Sequence, residues 1–232
     1  SMHLFLGLGW AKSGARYVTE YLEPDPTQVR YVIRSTLGYV VTSAVVVGTV
    51  FWLFHGDIAR LLGSGAVEPF LLVGVGYLVC YPLAVATRLL FNAFNRITWS
   101  AVLRAVDGVG RLGFATLFVL VGFGAPGALL GYVAGFLVAT AAGLVVLYRE
   151  FYTTLPATED RESGLRKRIL RYGVPLTVTS GADVLDKRVD AILVGVIVGP
   201  VAVGFYTRAK QIVDFAIVPA QSIDTAIAPR LG

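Results

Sequence analysis

A chain of 232 residues with 56% apolar residues, 26 glycines and only 15% charged side chains has too little polar surface to cover a water-soluble fold of its size. Lipid is the solvent that these numbers imply. Disorder is excluded by hydrophobicity, and a single cysteine, Cys80, excludes both a disulfide scaffold and a cysteine-built zinc cluster, so neither metal nor cofactor is expected.

A membrane-crossing helix needs about 20 mostly apolar residues for roughly 30 Å of hydrocarbon. The opening piece, Leu4 to Val18, is too short and too polar to span and reads as the tail of a helix. Tyr31 to Phe54 is the first full run, with Arg34 near its edge, and Pro69 to Phe91 is the second, with Arg88 near its end. Thr98 to Phe123 follows, carrying Arg104, Asp107 and Arg111 in its first half, and then Gly127 to Tyr148, which has no charge. Beyond a polar connection come Tyr172 to Val198 and Val201 to Ala228, both interrupted by ionisable residues. Runs of this length without apolar/polar alternation are not barrel strands. The chain is therefore expected to be all-α, a polytopic membrane bundle of about six full transmembrane helices plus a partial one at its N-terminus.

Basic residues separate sharply between the two sides. Lys12, Arg16, Arg30, Arg34, Arg88, Arg96, Arg104, Arg149, Arg161, Arg166, Lys167, Arg168 and Arg171 fall on one side, and Arg60 alone on the other. The tight connections at Gly124-Ala125-Pro126-Gly127 and Gly199-Pro200 carry none. That asymmetry predicts a cytoplasmic location for the basic loops in a multi-pass protein of the cytoplasmic membrane. It also puts the longest connection, 149–171, on the cytoplasmic side as a linker between a first membrane lobe, 1–148, and the first two helices of a second, 172–232.

Ionisable groups at membrane depth turn toward a bundle interior or a wet cavity. Ser100, Arg104, Asp107 and Arg111 share one helical stripe; Thr179, Ser180, Asp183, Lys187 and Asp190 form a second, with Asp186 beside them and Arg188 turned away. Thr207, Asp214 and Gln221 form a third, with Lys210, Gln211 and Asp224 alongside. The simplest assembly points three wet faces at one cavity. The alternative is structural neutralisation: Asp183 and Lys187 are an i, i+4 pair, Asp107 reaches both Arg104 and Arg111, and Arg104 is near enough to the edge to snorkel. His3 and His55 are poor candidates for a ligand or base.

Gly131, Gly135, Ala139 and Gly143 recur every fourth residue, a flat ridge for close helix packing, and Gly195 with Gly199 repeats the spacing once. Pro82, Pro175 and Pro219 fall inside spans, where each permits a kink.

Leu170-Arg171-Tyr172-Gly173-Val174-Pro175-Leu176, then Asp190 to Gly195, Gly199-Pro200 and Val203-Gly204-Phe205-Tyr206 through Ala209 resemble the seventh and eighth helices of oligosaccharide flippases of the polysaccharide biosynthesis/transport family, in the superfamily that includes the MATE exporters. Gly173, Pro175, Asp190, Gly195, Gly199, Gly204, Tyr206 and Ala209 match in order, and Gly7 to Tyr17 is similar to the end of the second helix. The resemblance implies two lobes of six helices, of which the chain would be a fragment covering about helices two to eight. It also implies translocation of a lipid-linked oligosaccharide of the polyprenyl-pyrophosphate type by alternating access. Arg104 and Arg111 then lead as candidates for the anionic head, followed by Lys187, Arg188 and Lys210, while Asp107, Asp183, Asp190 and Asp214 would bind a coupling cation or proton or balance charge. The partners implied are the bilayer, the lipid-linked substrate and the coupling ion, with no nucleic acid.

Two rivals stand beside this function. One is a MATE-type antiporter for drugs or cations, which an acidic cavity with few bases would favour; the other is a non-transporting scaffold of a glycan assembly complex. An enzyme is not expected, because there is no phosphate-cradling loop with lysine, no paired histidines and no triad, and no residue is put forward as catalytic.

Overall fold

Backbone polar groups left open in lipid cost several kcal/mol each, which confines a spanning chain to helices or a closed barrel. The computed structural model describes residues 8–61, 68–156, 162–199 and 201–213, without the side chains of 61, 181–188, 192 and 196, and every regular element among them is helical. In chain order these are α1 (Leu8–Leu22), α2 (Pro26–Leu61), α3 (Glu68–Ala93), α4 (Ile97–Phe118), α5 (Gly124–Val146) and α6 (Leu165–Ile197), followed by α7 at 201–213. Pro26–Arg60, Glu68–Ala93 and the stretch Ile97–Tyr152 are long and apolar enough to cross a membrane. The last of these holds both α4 and α5. The protein is an all-α membrane protein, as its composition implies.

Local chemistry explains where the helices stop. Asp25 accepts a hydrogen bond from Thr27 N–H at 3.2 Å ahead of Pro26, so an acidic cap and a proline at the first helical position open α2. At the far end of α3, Asn95 adopts φ 57° and Arg96 N–H reaches back to Phe91 O at 2.9 Å, closing the helix and starting the turn into α4. Between α4 and α5 the chain reverses through a π-helical turn, Val119–Phe123, with Gly122 at φ 101° and Gly124 at φ 59°. The reversal thus begins a few residues ahead of the Gly124–Gly127 segment expected to make it and ends at its first residue, using the two glycines whose positive φ it needs.

The ridge on α5 does what its spacing implies. A Cβ on Gly131 would sit 2.3 Å from Ala115 N, and one on Gly135 2.4 Å from Arg111 N, so α5 lies backbone against backbone on the antiparallel α4. Nearer the other end, Gly143 faces Leu103 and Thr87. Gly199 is different. Its φ is 113°, nothing lies within 4 Å of where its Cβ would be, and its N–H donates to Val194 O, so it ends α6 as a turn residue and is not part of a packing ridge.

The chain divides into two units, Ser1–Val184 and Leu185–Gly232. In the first, the main core gathers Tyr17, Val18, Val29, Val32, Ile33, Leu90, Phe91, Leu147, Leu165 and Ile169. Both ends of the 149–171 connection are helical: a π-helical turn covers Leu147–Tyr152, and α6 already begins at Leu165. Leu165 and Ile169 are fully buried. Ser13 Oγ donates to Ile169 O at 3.1 Å, Tyr17 OH donates to Arg168 O at 3.3 Å, and a Cβ on Gly173 would strike the Trp10 ring at 2.5 Å, so α1 holds the first turns of α6. Arg168 pairs with Glu162 at 2.7 Å and Glu20 at 2.9 Å. Burial, and then the hydrogen bond to Glu162, push the Tyr21 hydroxyl up to about 12, so it stays a neutral donor to that carboxylate.

Replacing Gly131 by Ala is expected to destabilise the protein by about 2–3 kcal/mol, because backbone atoms of α4 cannot yield. Gly113→Ala, in the same helix pair but with open space around it, is expected to be neutral or stabilising by up to about 1 kcal/mol. Thermal unfolding in detergent separates the two.

Candidate functional site

In α4 the usual order of a soluble helix is inverted. Ser100, Leu103 and Asp107 are its buried residues, with Asp107 at 7%, while Val109 and Leu112 are exposed at 72% and 73%. Inverted patterning of this kind fits a helix whose outside is lipid, because a carboxylate facing hydrocarbon costs more than one facing protein.

Close α4–α5 packing brings the stripe against aromatic rings. Asp107 Oδ2 and Arg111 Nη2 pair at 2.5 Å, and Arg111 Nε also donates to Asp107 O at 3.3 Å. The guanidinium lies 4.7 Å from the Tyr132 ring centre and 5.1 Å from that of Phe136, and it donates to the Tyr132 hydroxyl. Tyr77 and Tyr81 extend this aromatic wall from α3. Arg111 is thus held by charge, by hydrogen bonds and by two π faces.

Asp107 Oδ1 is buried without a hydrogen-bond partner among the described residues. It faces a crevice lined by Ala84, Thr87, Arg88, Leu103, Ala139 and Thr140. Thr87 and Thr140 spend their hydroxyl protons on Leu83 O and Phe136 O, one turn back in their own helices. Arg88 is within electrostatic reach of Asp107, Arg104 and Arg111. Among the described residues the local balance is therefore three arginines to one aspartate. Arg88 was counted from sequence only as a residue that sets orientation, since stripes on single helices do not reveal which helices meet. Its position inside an apolar span was the signal available.

Other expected residues fall as follows. Arg104 is exposed and lies on the same stripe. Asp183, Lys187 and Arg188 are in α6, but their side chains lie outside the described residues, and Asp214 lies outside them altogether, as do Gln221, Asp224, Pro219 and His3. In the second unit, Asp190 pairs with Lys210 and accepts a hydrogen bond from Tyr206, while Ala191 N–H donates to Oδ1 at 2.8 Å. Asp190 and Tyr206 of the resemblance motif are thus partners across the α6–α7 turn. Among the described residues no group of three His, Cys, Asp or Glu is placed to hold a metal ion.

Removing Arg111 alone leaves Asp107 charged and unpaired in a nearly closed site. Arg111→Ala is expected to destabilise by on the order of 3 kcal/mol, and the double change Asp107→Asn with Arg111→Ala to recover much of that loss. Equilibrium unfolding in detergent checks the sign of the coupling.

Comparison with known proteins places this geometry. A solved structure titled "protein A" resembles the chain with a TM-score of 0.72 at 19% sequence identity, covering 98% of this chain and 53% of that one. That is a likeness of fold, and the chain spans about half the length of the structure it matches. No curated protein matches. The family model described as "Polysaccharide biosynthesis protein" matches residues 1–232. With the whole sequence matched, and with the membrane helices that the fold displays, the chain belongs to the polysaccharide biosynthesis protein family.

Proposed function

We propose that the protein is part of a transporter that moves a lipid-linked oligosaccharide of the polyprenyl-pyrophosphate type across the cytoplasmic membrane by alternating access. Residues 1–148 would supply most of one lobe, 149–171 the interlobe connection, and 172–232 the first two helices of the next. Such a substrate has a polar head, sugar on an anionic pyrophosphate, that hydrocarbon rejects and a tail that need never leave it, so the protein must offer a hydrated, cationic groove open to lipid.

The observation that carries this reading is the charge balance around α4: Arg111 pairs with Asp107, and Arg88 is within electrostatic reach of Asp107, Arg104 and Arg111, so among the described residues guanidinium groups outnumber carboxylates there. Guanidinium groups match pyrophosphate oxygens bidentately and keep their charge at any working pH. A cavity for cationic drugs would need the opposite balance. Lys187, Arg188 and Lys210 are assigned secondary contacts with the head, and Asp183, Asp190 and Asp214 the coupling ion or charge balance.

Transport of a fluorescent lipid-linked sugar into proteoliposomes tests the assignment in the intact two-lobe transporter, at equal amounts of folded protein. Arg88→Gln and Arg104→Gln are each expected to slow it about tenfold, the value of one charge-assisted hydrogen bond, with Lys replacements less harmful. Unchanged rates in both Gln variants would remove the assignment.

A further inference from the structure

A second feature of the first unit lies away from the α4 stripe. Between α2 and the end of α5 is a crevice of about 300 Å³ lined by Leu37, Leu144, Leu147, Tyr148 and Tyr152, with Arg34 as the one charged residue in its wall among the described residues. Leu147 closes it as a fully buried floor, whereas Arg34 and Tyr148 are exposed. A gap of that size between helices is filled by something, and in a bilayer the available filler is a lipid chain.

Arg34 has no ion pair or hydrogen bond from its side chain among the described residues. One turn earlier, Arg30 sits 4.6 Å from the centre of the Tyr152 ring, which in turn stacks on Tyr148 at 5.6 Å and 19°. Arg149 follows Tyr148 in sequence and is exposed, and Glu150 next to it is the nearest acid along that turn. The mouth is therefore a cationic rim beside paired tyrosines, at the helix ends that carry most of the basic residues. That is the composition of a membrane interface, where tyrosines sit at headgroup level and basic residues meet anionic lipid.

We infer that this crevice is a binding site for an anionic phospholipid of the leaflet on the basic side, its acyl chain lying on Leu37, Leu144 and Leu147 and its phosphodiester paired with Arg34. The apolar wall selects a chain, and the unpaired guanidinium selects a charged head. A free phosphate would satisfy Arg34 but leave the crevice empty. The site is separate from the Arg88, Arg104 and Arg111 cluster and does not depend on the transport reading.

Native mass spectrometry of the protein released from vesicles of equimolar phosphatidylglycerol and phosphatidylcholine tests the inference. The parent protein is expected to retain phosphatidylglycerol preferentially, and millimolar inorganic phosphate is expected not to displace it. Arg34→Gln, at an exposed position, is expected to lower that preference about tenfold, Arg34→Lys to keep most of it, and Leu144→Trp to block retention of the lipid by filling the crevice. Circular dichroism of each variant confirms that helix content is unchanged. Equal retention of the two lipids by the parent, undiminished preference in Arg34→Gln, displacement by phosphate, or a second copy of the chain seated in the crevice would each overturn it.

Discussion

Backbone contact between α4 and α5 is the constraint on which the rest of the first unit depends. With glycine at 131 and 135 the two helices approach until main-chain atoms touch, and that approach fixes the rotation of α4 about its own axis. Once the rotation is set, Asp107 must face inward and Arg111 must lie on the Tyr132 and Phe136 rings. A side chain on the ridge would separate the helices and release the arginine from the aromatic wall.

The second constraint is the solvent. Water on the outside would favour turning α4 over, burying Val109 and Leu112 and exposing Asp107; hydrocarbon on the outside makes the observed orientation the less costly one. Packing supplied by glycine and orientation supplied by lipid therefore act together. They bury Asp107 against Arg111, with Arg88 within electrostatic reach and Arg104 exposed on the same stripe; Arg111 is held by its neighbours, and Asp107 keeps one oxygen without a partner among the described residues.

Much of this was legible in the sequence because membrane helices obey simple rules. Run length gave the spans through 152, the four-residue spacing gave the ridge on α5, and the stripe on α4 gave the buried Ser100 and Asp107 and the paired Arg111. Features that depend on which helices meet were not legible. Arg88 joins the cluster from α3, and nothing local to α3 says so. Position 199 has ridge spacing but a positive φ, and spacing carries no information on backbone handedness. The 149–171 connection has few large apolar residues, yet Leu165 and Ile169 are enough to anchor the start of α6 in the core, since α1 was already shaped to receive them.

Scanning thiol accessibility tests whether one face of α4 is wet and cationic, as the proposed transport function requires, while the others meet lipid. Cys80 is the chain's one cysteine and is buried, so its replacement by serine leaves a background for single cysteines placed along α4. A membrane-impermeant thiol reagent is expected to label positions Arg104 and Gly108 and to spare Val102, Val109 and Leu112. Uniform labelling around the helix, or labelling confined to Val102, Val109 and Leu112, would contradict the account.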